Sequence, residues 1–237
     1  MPEYFLSKEN GFEYDVIRRK RKTMEIRVES PGKVLLIVPE KSKEQDILQM
    51  LDKHSNWVMK KLEIYQNVES LERSHLFCTG EQFWLQGAPV FLETIANPGT
   101  EYITLKVAGN KLIITAPVCD PEYIRIILVD WFKQRCQEVI QERVAYYEPL
   151  VQRTPTRVRA KEQKKRWGSC TAAGHLYFNW RLIGAPPVVL DYVVVHEMCH
   201  LVHLNHSPAF WKLVECLLPD YKIRQEWLRI HGRSLNF

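Results

Sequence analysis

His196-Glu197-Met198-Cys199-His200 carries the clearest chemistry in this 237-residue sequence. Two histidines four apart on a helix lie one turn above each other, so both imidazoles can reach one Zn²⁺ through nitrogen. Glu197, one position round from the first histidine, can reach a water on that metal and act as its general base. On composition alone an H-E-x-x-H pattern arises in such a chain on the order of 1 in 40 times. Its setting strengthens it: an apolar approach (Val193, Val194, Val195), a well-marked helix start, and a further histidine, His206, six residues after His200.

A turn near Asn205 would bring His206 back to the metal, giving three protein ligands and one open position, the arrangement of a catalytic rather than a structural zinc site. Cys199 points away from both histidines on the helix and reads as a small buried hydrophobe, not a fourth ligand. His203 reads as a surface histidine near the site. Asp191 and Tyr192, a turn or more before His196, either support the ligands or cap and pack the first turn of the helix.

The elements that must position these residues follow from periodicity and punctuation. Pro186-Pro187 opens a helix expected over residues 188–204, because proline is tolerated in the first turn. Ser207-Pro208 starts another, running to Leu218, and a last one after Pro219 reaches about Ile230 with Gly232 as its stop. Upstream, Arg166 to Cys170 and His175 to Leu182 flank the turn-like Thr171-Ala172-Ala173-Gly174 and form an expected hairpin. Trp167, Phe178 and Trp180 read first as core aromatics and Gly168 as a bulge. Asp120 as N-cap and Pro121 at the first helical position open a long helix expected to end before Pro149. Its apolar positions include Ile124, Ile127, Leu128, Trp131, Cys136, Val139 and Ile140.

The first half contains two similar blocks. Met24, Ile26 and Val28 alternate, Pro31-Gly32 turns, and Val34 to Val38 return; a helical pattern then runs from Glu44 to Tyr65 through Ile47, Leu48, Leu51, Trp57, Val58 and Leu62. Ile103, Leu105 and Val107 precede Gly109-Asn110 and the return Leu112 to Ile114 before the Asp120 helix. This hairpin-plus-helix recurrence is either a duplication or common supersecondary structure. The expected organisation is α+β: a β-rich region over 1–118 with hairpin-helix units, then a catalytic core over 119–237.

Composition sets the outer limits. Hydrophobic residues are 46% and charged residues 26%, the balance of a globular chain, and 33 Lys plus Arg against 28 Asp plus Glu leave a mild formal charge of +5. Met1 to Asn10 holds charges at Glu3, Lys8 and Glu9 with no apolar signal core, and six scattered cysteines form no C-x-x-C pair, so a cytoplasmic location with reduced thiols is expected. The longest apolar stretches are too short for a membrane span. Two basic clusters, Arg18 to Lys22 and Lys161 with Lys164-Lys165-Arg166, make nucleic acid the less favoured partner, because no interleaved aromatic platform accompanies them.

Arg166-Trp167-Gly168-Ser169-Cys170, Phe178-Asn179-Trp180-Arg181-Leu182, Asp191 through Leu201 with the H-E-x-x-H, Asn205-His206-Ser207, Phe210-Trp211 and Pro219-Asp220-Tyr221 together resemble the YgjP-like family of predicted zinc metallopeptidases, gluzincin-type relatives of the SprT and WLM proteins. The likeness is strong from Arg166 to Tyr221 and architectural before it. It implies a zincin-like core, Zn²⁺ on His196, His200 and His206, Glu197 as base, and a peptide or protein substrate approaching along an edge strand beside the active helix. Gluzincins in general take a third ligand from a following helix, which makes Glu215 the competitor to His206. The rival functions are a zinc-containing nucleic-acid or protein-binding module without turnover, and a DNA-associated SprT-like protease. Oligomeric state is not readable from the sequence.

Overall fold

In the computed structural model residues 3–6, 12–29, 33–69 and 75–236 are described. The architecture is α+β, and the chain divides into two units, Met1–Arg73 and Ser74–Phe237.

In the first unit, strands β1 (Glu3–Leu6), β2 (Glu13–Arg19), β3 (Glu25–Glu29) and β4 (Lys33–Pro39) form one sheet in the order β1-β2-β4-β3, followed by helix α1 (Glu44–Glu69). The outer pairs are antiparallel and β2 and β4 run parallel. The unbroken apolar run Val34 to Val38 is buried throughout, as a central strand requires. Of the helical positions expected to face the sheet, Ile47, Leu51 and Val58 are buried, while Leu48 and Trp57 are exposed. The Pro31-Gly32 turn lies outside the described residues.

The second unit opens with the same plan. Strands β5 (Gln82–Leu85), β6 (Ala88–Ala96), β7 (Thr104–Ala108) and β8 (Lys111–Ala116) take the order β5-β6-β8-β7, again with parallel middle strands and antiparallel outer pairs. Gly109 makes the expected β7–β8 turn at φ 59°. Helix α2 (Pro121–Val151) begins as predicted, with the Asp120 carboxylate accepting from the backbone N–H groups of Glu122 and Tyr123. It does not stop before Pro149. The helix runs through that proline at the loss of one backbone bond, because Tyr147 and Val151 are buried on either side, and it ends at Gln152 in the left-handed region.

The compact units meet at Arg73/Ser74. Leu92, Leu112 and Ile114 from this second sheet share one core with α2 and with the elements that follow. The β5–β6 turn also docks there: Gln86 and Gly87, at φ 50° and 80°, donate their N–H groups to the carbonyls of Ile183 (2.6 Å) and Gly184 (3.1 Å).

Three short strands complete the second unit: β9 (Arg157–Lys161), β10 (Gly168–Cys170) and β11 (His175–Asn179) in the order β10-β11-β9. The β10–β11 hairpin is the expected one, turning at Gly174 with φ 75°. β9 pairs parallel to β11, in a stretch for which the sequence pattern announces no strand. β11 ends at Asn179, three residues before its expected end, because the Asn179 side chain accepts from the Arg181 N–H and starts a 3-10 turn over Trp180–Gly184. Helices α3 (Pro187–Cys199), α4 (Pro208–Leu217) and α5 (Tyr221–His231) follow. Among the described residues no helix is long and apolar enough to cross a membrane.

Candidate active site

Helix α3 is shorter than its sequence pattern: it ends at Cys199, with His200 as its cap, instead of continuing to Leu204. The chain tightens there through Leu201 N–H to the Met198 carbonyl and Val202 N–H to the Cys199 carbonyl, i→i−3 bonds that close the helix a turn early. The H-E-x-x-H thus occupies the last turn, and the segment after it curls back. That curl brings His206 home. Ring nitrogens of His196, His200 and His206 all lie within 4.8 Å of one another, and the ring centroids stand 4.7 to 5.0 Å apart.

The donor set fits a divalent metal. His200 Nδ1 faces the His203 carbonyl at 2.9 Å, which fixes that nitrogen as the N–H and leaves Nε2 with its lone pair. Nε2 of His196 and Nε2 of His206 are 3.1 Å apart, close to the spacing of about 3.3 Å that two ligands of one tetrahedral zinc would show. His196 Nδ1 is buried without a hydrogen-bond partner. Burial, reinforced by His200 and His206, holds the His196 imidazolium pKa down at about 3, so the ring is neutral and able to ligate at physiological pH. Zn²⁺ suits three imidazole nitrogens with an open position.

Aromatic packing fixes the rings. Phe210, fully buried on α4, stacks on His200 at 4.5 Å, and Trp211 stacks between His206 (5.6 Å) and Tyr221 (5.4 Å). The Ser207 hydroxyl caps α4 by accepting from the Phe210 N–H. Glu215 is exposed on the same helix and stands outside the three-histidine cluster. Cys199 is fully buried and its thiol is pushed up to about 12 by burial, consistent with a small hydrophobe. His203 is half-buried and joins the site through its carbonyl alone.

Glu197 is 6% exposed, on the same helical turn as the ligands. Burial raises its carboxyl to about 8, against the opposing pull of Arg166 and of the Cys170 backbone N–H, which donates to it. A cation on the histidines would draw it back toward the usual carboxylate range. Strand β10 passes so close that a Cβ at Gly168 would stand 2.6 Å from Glu197 Oε1. Gly168 is therefore required by close approach to Glu197, with Gly168 paired to Phe178 in regular register where a bulge was expected. A cavity of about 290 Å³ opens here, walled by Gly168, Trp167, Tyr192, His196, Glu197 and Gln225 among others. The Tyr192 phenol, hydrogen-bonded to Gln225, is pushed up to about 12 by burial and stays protonated.

Asp191 neither caps α3 nor meets a histidine. Its carboxylate takes a two-point ion pair from Arg143 of α2 (2.6 and 2.9 Å) and a hydrogen bond from the Tyr147 hydroxyl (3.1 Å), tying the metal helix to the long helix behind it. Sequence reading missed Arg143. The signal was present: it lies four residues after Val139 and three after Ile140, beside the buried stripe of α2, where a part-buried cation calls for an anion on the facing element. Gly232 also differs from expectation. Its backbone is right-handed at φ −57° and the chain continues into a 3-10 turn; what needs a glycine there is Trp167, whose Cζ2 would stand 2.7 Å from an added Cβ.

An α+β core that presents three converging imidazoles and a buried glutamate beside an edge strand is a metallopeptidase-class centre. The chain belongs to the YgjP-like family: the family model "YgjP-like, metallopeptidase domain" matches residues 22–231, well beyond the Arg166–Tyr221 segment that carries the motifs. No curated protein matches the chain. Among solved structures it is similar to the crystal structure of the metallopeptidase zymogen of Pyrococcus abyssi abylysin, at 18% identity over 38% of this chain and 90% of that one, with a TM-score of 0.36.

Proposed function

We propose that this protein is a zinc-dependent peptidase in which His196, His200 and His206 hold the metal and Glu197 is the general base. The observation that carries this reading is the convergence of three imidazoles next to a buried carboxyl at the end of one helix. Zn²⁺ bound by those rings would supply a Lewis acid that acidifies a water and polarises a scissile carbonyl.

The chain's own residues do the rest. Glu197 takes a proton from the attacking water as its oxygen bonds to the carbonyl carbon, and returns a proton to the amine nitrogen as the C–N bond breaks. Its burial keeps competing water from that proton, and Gly168 lets β10 lie against it. β10 pairs with β11 on one side only, so its other edge offers backbone groups to an extended peptide running past Glu197. The Tyr192 hydroxyl, protonated at neutral pH, supplies a donor on the cavity wall.

Glu197→Gln separates a peptidase from a binding module. The variant is expected to retain its zinc, because Glu197 is not a ligand, and to lose about two to four orders of magnitude in hydrolysis of any peptide the wild type cleaves. Hydrolysis at the wild-type rate would assign water activation to another group.

A further inference from the structure

Beyond the metal cavity lies a second, larger one of about 560 Å³, which shares Trp167, Leu228 and Arg229 with it. Its wall carries six cations, Lys164, Lys165, Arg166, Arg181, Arg229 and Arg233, against one carboxylate, Glu162. Three of the cations have assigned work. Glu162 pairs with Arg181, Glu226 with Arg229, and Arg166 acts on Glu197. Lys164, Lys165 and Arg233 make no ion pair among the described residues.

The wall is held in place. Buried Asn179 donates its side-chain amide to the Gln163 carbonyl (2.8 Å) and its backbone N–H to the Trp167 carbonyl (2.8 Å), pinning the 162–167 loop at both ends. That loop leads directly into β10, so a chain extended along β10 past Glu197 continues over Trp167 into the basic cavity.

We infer that this cavity is a specificity site for carboxylate side chains of an acidic segment in the peptide substrate, a few residues from the scissile bond. The inference rests on the peptidase reading above. Several separated cations suit several carboxylates better than a single chain terminus. Nucleic acid is disfavoured because the one aromatic wall, Trp167, is packed against Gly232 and half-buried, leaving no series of stacking faces.

The test uses zinc-loaded full-length protein and a pair of C-terminally amidated peptide libraries, identical except that Glu in one is Gln in the other, with cleavage sites read by mass spectrometry. The wild type is expected to prefer the Glu library in kcat/KM by about tenfold. In Lys164→Gln/Lys165→Gln/Arg233→Gln that preference should collapse toward one, mainly through KM, and should weaken with salt in the wild type. Removing the same charge elsewhere, in Arg19→Gln/Lys20→Gln/Lys22→Gln, should leave the preference intact. Equal cleavage of both libraries by the wild type would overturn the specificity site while leaving the peptidase reading standing. If neither library is cleaved, the Glu197→Gln protein still decides by fluorescence anisotropy: binding of Glu but not Gln peptides, lost in the triple variant, supports the cavity's role although the peptidase reading fails, whereas binding of a labelled oligonucleotide in place of either peptide overturns it in favour of nucleic acid.

Discussion

The hairpin pair plus helix at the start of each unit is the same object twice in topology and two different objects in use. Both sheets run antiparallel, parallel, antiparallel in matching strand order, and both are followed by a long helix. α1 buries Ile47, Leu51 and Val58 into a core made only of its own unit's residues. α2 buries nine residues, from Ile124 to Val151, and adds Arg143 to hold Asp191 of the metal helix. The second block's first hairpin likewise turns onto Ile183 and Gly184, just ahead of Pro186 and Pro187, where α3 starts. What separates them is a handful of side chains at points of attachment. Topology repeats cheaply; a site needs a helix and a turn that have other elements to grip.

The largest effect should come from cutting the α2 grip. Asp191→Ala removes a two-point ion pair to the part-exposed Arg143 and strands the buried Tyr147 hydroxyl, and is expected to destabilise the second unit by about 3 kcal/mol and to weaken metal binding, read by chemical denaturation and zinc titration. Leu51→Ala, the matched wound in α1, should cost about 3 kcal/mol in the first unit yet leave zinc stoichiometry unchanged. Loss of zinc in Leu51→Ala would erase the contrast between the two blocks. Gly87→Ala is the finer probe: with φ at 80° and Pro186 Cα 2.9 Å from an added Cβ, it should cost about 2 kcal/mol and shift the start of α3, lowering thermal stability with a smaller loss of activity.

Legibility followed the range of the interaction. The H-E-x-x-H, the Asp120 cap, the Gly109 and Gly174 turns and the Ser207 start are local and stand in the sequence as they stand in the structure. The β-rich repeat was visible through its second hairpins, whereas β5 and β6 were missed because β5 is only four residues long and the nine of β6 show little polar–apolar alternation around the Gln86-Gly87 turn. The early end of α3 was not readable: Leu201, Val202 and Leu204 continue an apolar helical pattern, and the curl is set by His206, Phe210 and Trp211 packing around the site. Gly168 and Gly232 looked like a bulge and a stop because close approach to Glu197 and Trp167 is a tertiary fact. The basic cluster around Lys164-Lys165-Arg166 stood in the sequence only as a less favoured nucleic-acid contact for the same reason; only the fold makes it a cavity wall.

Zinc stoichiometry and coordination, by metal analysis and X-ray absorption on the wild type, His206→Ala and Glu215→Ala, test the central assignment most directly. The expected result is about one zinc per chain with three nitrogen ligands in the wild type and in Glu215→Ala, and weakened binding with one nitrogen fewer in His206→Ala. Retention of full affinity in His206→Ala, with loss in Glu215→Ala, would contradict the three-histidine site.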